Sequence, residues 1–168
     1  MKVLFLDVDG VLNDEKSKSR CGGCVGIDSG KMARLKQIVD ETGAAIVLSS
    51  SWRLGYNKDH VDLGNFAKYL TNKFRKQGLS VYGSTSDLGR GGLLRAEEIK
   101  QWLEDNKGKN ITAWAVLDDE LFRGYLEGGF DRHLVKTNFR NGGLTAEKAG
   151  KVIEILNKED KKNESTEH

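Results

Sequence analysis

Five short apolar runs constrain the fold more than anything else in the chain: VLFL at 3–6, AAIVL at 44–48, LSVY at 79–82, TAWAVL at 112–117 and HLV at 133–135. Several are continuously apolar rather than alternating. That pattern suits strands covered on both faces, as in a parallel sheet between helices. Helical patterns fill the intervals. Asp28 can cap a helix carrying Met32, Leu35, Ile38 and Val39 on one face. Residues 62–76 place Phe66, Ala67, Leu70 and Phe74 at helical spacing, and residues 95–105 do the same with Ala96, Ile99, Trp102 and Leu103. Thr145 can cap a last helix with Ala149, Val152, Ile153 and Leu156. Strands alternating with helices predict an α/β fold with a mostly parallel sheet.

In open sheets of this kind, ligands bind beyond the carboxyl ends of the strands. Three polar groups sit there. Asp7, Asp9 and Gly10 follow the first strand, Ser49, Ser50, Ser51, Trp52 and Arg53 follow the second, and Asp118, Asp119 and Glu120 follow the fourth. So many carboxylates on one sheet edge repel one another unless a cation joins them. Magnesium takes oxygen ligands and is often shared between carboxylates and a substrate phosphate. Serine hydroxyls and backbone amides can donate to phosphate oxygens. The constellation points to phosphoryl chemistry with Mg2+.

Composition excludes little else. With 27 basic and 25 acidic residues the net charge is +2, which does not mark a nucleic-acid binder and does not exclude one. No apolar run reaches membrane-spanning length, and the start of the chain lacks the pattern of a secretory signal, so the expected location is cytoplasmic, without a membrane partner. Cys21 and Cys24 form C-G-G-C in a glycine-rich loop, where turn, metal and redox roles are all open. Proline is absent, so glycine marks the turns. The glycine-rich DLGRGGLL at 87–94 reads as a connection, with Arg90 a candidate substrate contact, and the basic runs at 16–20 and 72–76 read as solvated faces.

D-V-D-G-V after a first apolar strand resembles the signature of the haloacid dehalogenase (HAD) superfamily. The hydroxyl after the second strand and the Asp-Asp pair after the fourth match its other motifs in order. More narrowly, GIDSGKMARLKQIVDETGAAIVLSSSWR, RAEEIKQWL, WAVLDDE and GGLT are similar to small domains of this superfamily found beside RNA-repair proteins. The resemblance spans residues 2–156. It implies a Rossmann-like, doubly wound, mostly parallel five-stranded sheet with helices on both faces, as one catalytic domain over residues 1–156. The polar, charged composition from 157 onward reads as a disordered tail.

The resemblance also implies roles. Asp7 is the nucleophile that becomes an aspartyl phosphate, and Asp9 is the general acid and base. Asp7, the Asp9 backbone carbonyl, Asp118 and Asp119 hold the magnesium. Ser49 binds the transferring phosphate, with Ser50 as the alternative. The basic residue expected between the second and fourth strands, usually lysine, is Arg95 here, with Lys100 as the alternative. Gly10 lets backbone approach the phosphate. Trp52 either stacks on a nucleobase or covers the core. Arg53 either clamps a second phosphate or forms an ion pair.

Many relatives carry a cap domain over the site. Here residues 11–27 suffice only for a small flap, such as a hairpin with both cysteines near its tip, and residues 54–78 hold one helix at most. A minimal cap suits a large phosphorylated substrate, such as a nucleic-acid end, or a nucleotide, better than a small sugar. The expected activity is magnesium-dependent hydrolysis of phosphomonoesters. A non-catalytic phosphate-binding module and a phosphotransferase are the alternatives.

Overall fold

A computed structural model describes residues 1–56, 64–89 and 93–158. Arg90 and the tail beyond Lys158 lie outside the described residues. The strands are β1 (Lys2–Leu6), β2 (Arg20–Cys21), β3 (Cys24–Val25), β4 (Ala45–Leu48), β5 (Val81–Ser84), β6 (Ala113–Asp118) and β7 (Leu134–Lys136). The helices are α1 (Ser29–Thr42), α2 (Gly64–Lys76), α3 (Arg95–Asp105), α4 (Arg123–Glu127) and α5 (Ala146–Asn157). Five strands form one parallel sheet in the order β5-β4-β1-β6-β7, with β1 at its centre. Among the described residues, no helix is long and apolar enough to cross a membrane.

Both faces of the sheet are covered, and the period of two along each strand divides the core. Leu4, Leu6, Ile46, Leu48, Ala115 and Leu117 pack against Met32, Leu35 and Ile38 of α1, Leu70 and Phe74 of α2, and Val152 and Leu156 of α5. Val3, Phe5, Val47 and Val116 point the other way, onto Ala96, Ile99 and Trp102 of α3 and Tyr125 of α4. The continuous apolar runs are therefore two alternating sets, each with its own layer of helices.

Local signals explain the helix ends. The Asp28 side chain accepts from the Lys31 N–H, and Gly43, at φ 67°, closes α1 in the left-handed conformation. Thr145 caps α5 through the Lys148 N–H. One strand is displaced from the expected 79–82 to Val81–Ser84. The reason lies in the end of α2. Gly78, at φ 67°, turns the chain, and the Leu79 N–H donates back to Phe74 O at 2.9 Å. Leu79 thus buries its side chain as part of a Schellman cap and is not free to pair as strand.

The segment at 11–27 forms the expected small hairpin. β2 and β3 are antiparallel, with Cys21 opposite Cys24 across a Gly22–Gly23 turn, and both thiols are free. The Tyr69 hydroxyl accepts from the Ile27 N–H at 3.1 Å and ties the flap to α2.

Candidate active site

Parallel pairing brings the three polar groups to one edge. The Asp7 N–H donates to Leu117 O at 2.9 Å and the Ser49 N–H to Leu6 O at 3.0 Å, so the ladder runs one residue past the strands and sets Asp7 between the other two segments. The Asp7, Asp118 and Asp119 carboxylates each offer an oxygen within 4.8 Å of the others. Asp7 and Asp119 face a cavity of about 400 Å³, which Asp9, Ser51, Arg53 and Arg95 also help to line, while Asp118 is fully buried behind them.

Arg95, the first residue of α3, is buried here, and its Nη1 lies 2.9 Å from Asp118 Oδ2 and 3.3 Å from Asp7 Oδ1. Its guanidinium also lies 5.0 Å from the centre of the Phe122 ring. Burial lowers the Arg95 pKa, and the two carboxylates more than reverse it. Lys100, the alternative, is exposed and sits over the Phe130 ring instead.

The carboxylates show the cost of this crowding. Burial pushes Asp7 up to about 7, Asp118 adds to the rise, and Arg95, Ser50 and the Val8 backbone oppose it. Burial also raises Asp119 to about 6, with Asp118, Glu120 and Asp9 adding repulsion. Asp118, fully buried, accepts from Arg95 and from the Tyr125 hydroxyl, both at 2.9 Å, and from the Glu120 N–H at 3.0 Å. Tyr125, itself buried, is pushed to a higher pKa by burial and by Asp118, which keeps it a donor.

Three clustered acids, two of them with ionisation opposed by burial, fit a hard divalent cation. Their oxygens converge closely enough for one cation to be shared, and a cation reverses the penalty on their charge.

Asp9 stands apart. It is exposed, and both oxygens are held: Asn13 Nδ2 donates to Oδ1 at 2.9 Å and Trp52 Nε1 donates to Oδ2 at 2.8 Å. Asn13 also accepts from the Gly10 N–H at 2.8 Å and donates to Val25 O of the flap at 3.1 Å. Gly10 has φ 66°, and its carbonyl accepts from the Thr137 hydroxyl at 2.7 Å. A Cβ added to Gly10 would lie 2.0 Å from Asp119 Oδ2, so the site requires glycine there twice over.

The serines divide unexpectedly. Ser49, the first choice from the sequence, is fully buried, and its hydroxyl has no partner among the described residues. The Ser50 hydroxyl accepts from the Trp52 N–H at 3.3 Å and opposes the rise in the Asp7 pKa, and Ser51 is the serine that lines the cavity. Trp52 packs edge-on against Phe66 while its N–H holds Asp9. Arg53 forms an ion pair at 2.9 Å with fully buried Glu98 of α3, and also donates to Ser49 O and Ser50 O. Glu98 in turn accepts from the Leu88 N–H at 3.1 Å. Arg53 thus borders the cavity while most of its donors knit the second strand's loop to α3.

Sequence reading did not find Asn13, Glu98 or Tyr125. Asn13 had a local signal, an amide three residues after a turn glycine. Glu98 and Tyr125 had none, because their partners come from other elements.

A family model described as the HAD domain in Swiss Army Knife RNA repair proteins matches residues 3–149. No curated protein and no solved structure matches the chain.

Proposed function

The chain belongs to the HAD domains of Swiss Army Knife RNA repair proteins, and from that premise we propose that it is a magnesium-dependent phosphomonoester hydrolase working through an aspartyl phosphate. The proposed substrates are phosphorylated nucleic-acid ends or nucleotides. One observation carries the reading: the carboxylates of Asp7, Asp118 and Asp119 converge within 4.8 Å, with the Arg95 guanidinium against two of them.

In this reading Asp7 Oδ attacks phosphorus, and the bond from phosphorus to the ester oxygen breaks. Asp9 gives its proton to that departing oxygen. Asp9 then takes a proton from water, whose oxygen displaces the Asp7 carboxylate from phosphorus and releases inorganic phosphate. Arg95 neutralises charge beside the nucleophile, and Ser50 and Ser51 supply hydroxyl donors close to it. Asp7, Asp118, Asp119 and the Asp9 carbonyl would hold Mg2+, which when bound offsets the repulsion between an anionic nucleophile and an anionic phosphate. Ser49 remains a support for the strand end rather than a phosphate ligand, since its hydroxyl is enclosed.

The test is hydrolysis of an aryl phosphate with and without magnesium by the native chain and by Asp7→Asn. Asp7→Asn should abolish turnover while circular dichroism stays native. Retained turnover removes Asp7 as nucleophile. Tight, metal-dependent binding of phosphorylated oligonucleotides without turnover in the native chain replaces the hydrolase with a binding module.

A further inference from the structure

A second cavity, of about 320 Å³, abuts the first. Both are lined by Asp9 and Ser51, and among the described residues the second is otherwise walled by Cys24, Trp52 and Phe66. Its walls come from three elements: β3 of the flap, the short 3-10 turn at Ser51–Tyr56, and α2. Trp52 and Phe66 meet edge to face, with centroids 5.0 Å apart and planes at 74°. Trp52 cannot swing away freely, because its N–H is committed to Asp9.

The two cavities differ in chemistry. The first gathers Asp7, Arg53, Arg95 and Asp119, whereas Asp9 is the single charged residue among the described residues that line the second. Asp9 faces both. Given the hydrolase reading above, on which this inference rests, Asp9 protonates the oxygen of the leaving group. The leaving group therefore extends from phosphorus past Asp9, into the cavity that begins there.

We propose that the Cys24–Trp52–Phe66 cavity is the leaving-group subsite and that it takes the terminal nucleoside of its substrate. The base lies against the aromatic pair, and the sugar lies at the mouth between Asp9 and Ser51. A nucleobase has an apolar π-face that any aromatic wall can stack, whatever the base. The sugar keeps polar partners, since Asp9 accepts and the exposed Ser51 hydroxyl can donate or accept. A hexose phosphate would have to press its hydroxyls against a thiol and two aromatic rings, losing water without replacement bonds. A lone phenol ring would fill only part of the space.

The first test needs no turnover. Cys24 is exposed and Cys21 buried, so a maleimide should label Cys24 first. Adenosine 3′-monophosphate and a 3′-phosphorylated oligonucleotide should slow that labelling severalfold, and inorganic phosphate should not. Stronger protection by the oligonucleotide identifies a polymer end as the source of the nucleoside, and equal protection identifies free nucleotide. Protection by inorganic phosphate equal to that by the nucleotide, or protection by neither, overturns the subsite.

The second test compares the native chain with Phe66→Leu, which keeps apolar bulk and removes the ring. The ratio of kcat/KM for nucleoside phosphates to that for acetyl phosphate should fall roughly fivefold to a hundredfold, mainly through KM. An unchanged ratio, or an equal loss with a phosphotyrosine peptide, overturns the proposal and leaves the hydrolase reading intact. Protection of Cys24 by nucleotide without turnover of any substrate does the reverse: the nucleoside site stands and the hydrolase reading falls.

Discussion

Arg95 donates to Asp118 at 2.9 Å from the first position of α3, so the start of one helix neutralises the end of the fourth sheet strand in sequence. The same nitrogen lies 3.3 Å from Asp7. Removing this cation leaves two buried carboxylates facing each other, and breaking a buried pair costs about 3–5 kcal/mol. Arg95→Gln should therefore lower the melting temperature sharply in EDTA, and magnesium should restore much of the loss by taking over the charge. Arg95→Lys should keep part of both stability and activity. Thermal melts with and without magnesium decide it: an Arg95→Gln loss that magnesium leaves untouched would show that Arg95 and the metal site do not share the same carboxylates.

Gly10 offers a cleaner probe of the site's geometry. Two substitutions separate backbone strain from collision. Gly22→Ala places a side chain at φ 58° with nothing within 4 Å, so it should cost only about 1–2 kcal/mol for the left-handed conformation. Gly10→Ala has a similar φ but drives a methyl group into Asp119. It should be less stable than Gly22→Ala and should also lose magnesium-induced stabilisation. Equal melting temperatures and equal metal responses for the two variants would contradict the close approach.

How far the sequence reaches is visible in these residues. Asp7, Asp9, Asp118 and Asp119 are legible because position along the chain decides their place: each ends or follows a core strand of a parallel sheet. Arg95 is legible through the family resemblance, which expects a basic residue before the fourth sheet strand. β5 is misplaced by two residues because apolar Leu79 satisfies a helix cap as readily as a strand. The choice among Ser49, Ser50 and Ser51 depends on where the strand's alternation ends, which three identical residues cannot signal. Trp52 and Arg53 are visible as residues and not as roles. Their partners, Asp9 and Glu98, lie 43 and 45 residues away in sequence. Tyr125 is invisible for the same reason, since an aromatic in a short helix reads only as core.

The clamp on Asp9 should matter to the chemical step more than to binding. Trp52→Phe keeps a ring against Phe66 and removes the N–H donor, and hydrogen bonds to a charged group are worth about 1.5–3 kcal/mol. We expect kcat to fall roughly tenfold or more, with KM changing less. Asn13→Ala should fall further, because it also strips the Gly10 N–H and the Val25 carbonyl of their partner. Steady-state kinetics on an aryl phosphate separates the two constants, and a change in KM alone would show that the Trp52 N–H does not position Asp9 for the chemical step.

The raised carboxyls predict an unusual pH dependence for the metal-free chain. Asp7 is pushed up to about 7 and Asp119 to about 6, above the ordinary aspartate value of about 4. Between those limits the folded state binds more protons than the unfolded one, so stability rises as pH falls from 8 towards 5. Asp14 works in the opposite direction. Burial opposes its charge, but bonds from Lys31, at 2.9 Å, and from Ser17 hold its carboxyl below the usual range. Its contribution is present above about pH 4 and is lost as pH falls through its folded value. In EDTA the melting temperature should therefore peak near pH 5, and magnesium at pH 8 should close most of the gap. A melting temperature that falls between pH 8 and pH 5 in EDTA would mean that Asp7 and Asp119 are not penalised as their burial implies.

Arg53 and Glu98 allow stability and function to be pulled apart. The pair is buried, and Glu98 also holds the Leu88 N–H. Either Arg53→Met or Glu98→Leu leaves one uncompensated charge in the interior, at a cost of about 3–5 kcal/mol. The double substitution removes both charges, so its loss should be well below the sum of the two, with a coupling of about 1–3 kcal/mol in urea unfolding. Activity should not recover in parallel. Arg53 also donates to the carbonyls of Ser49 and Ser50, and those bonds hold the loop that carries Ser50 beside Asp7 and Ser51 at the cavity. The double variant should thus regain much of its stability and remain impaired in kcat/KM. Full recovery of both would reduce Arg53 to a charge partner of Glu98, and losses that simply add would dissolve the pair.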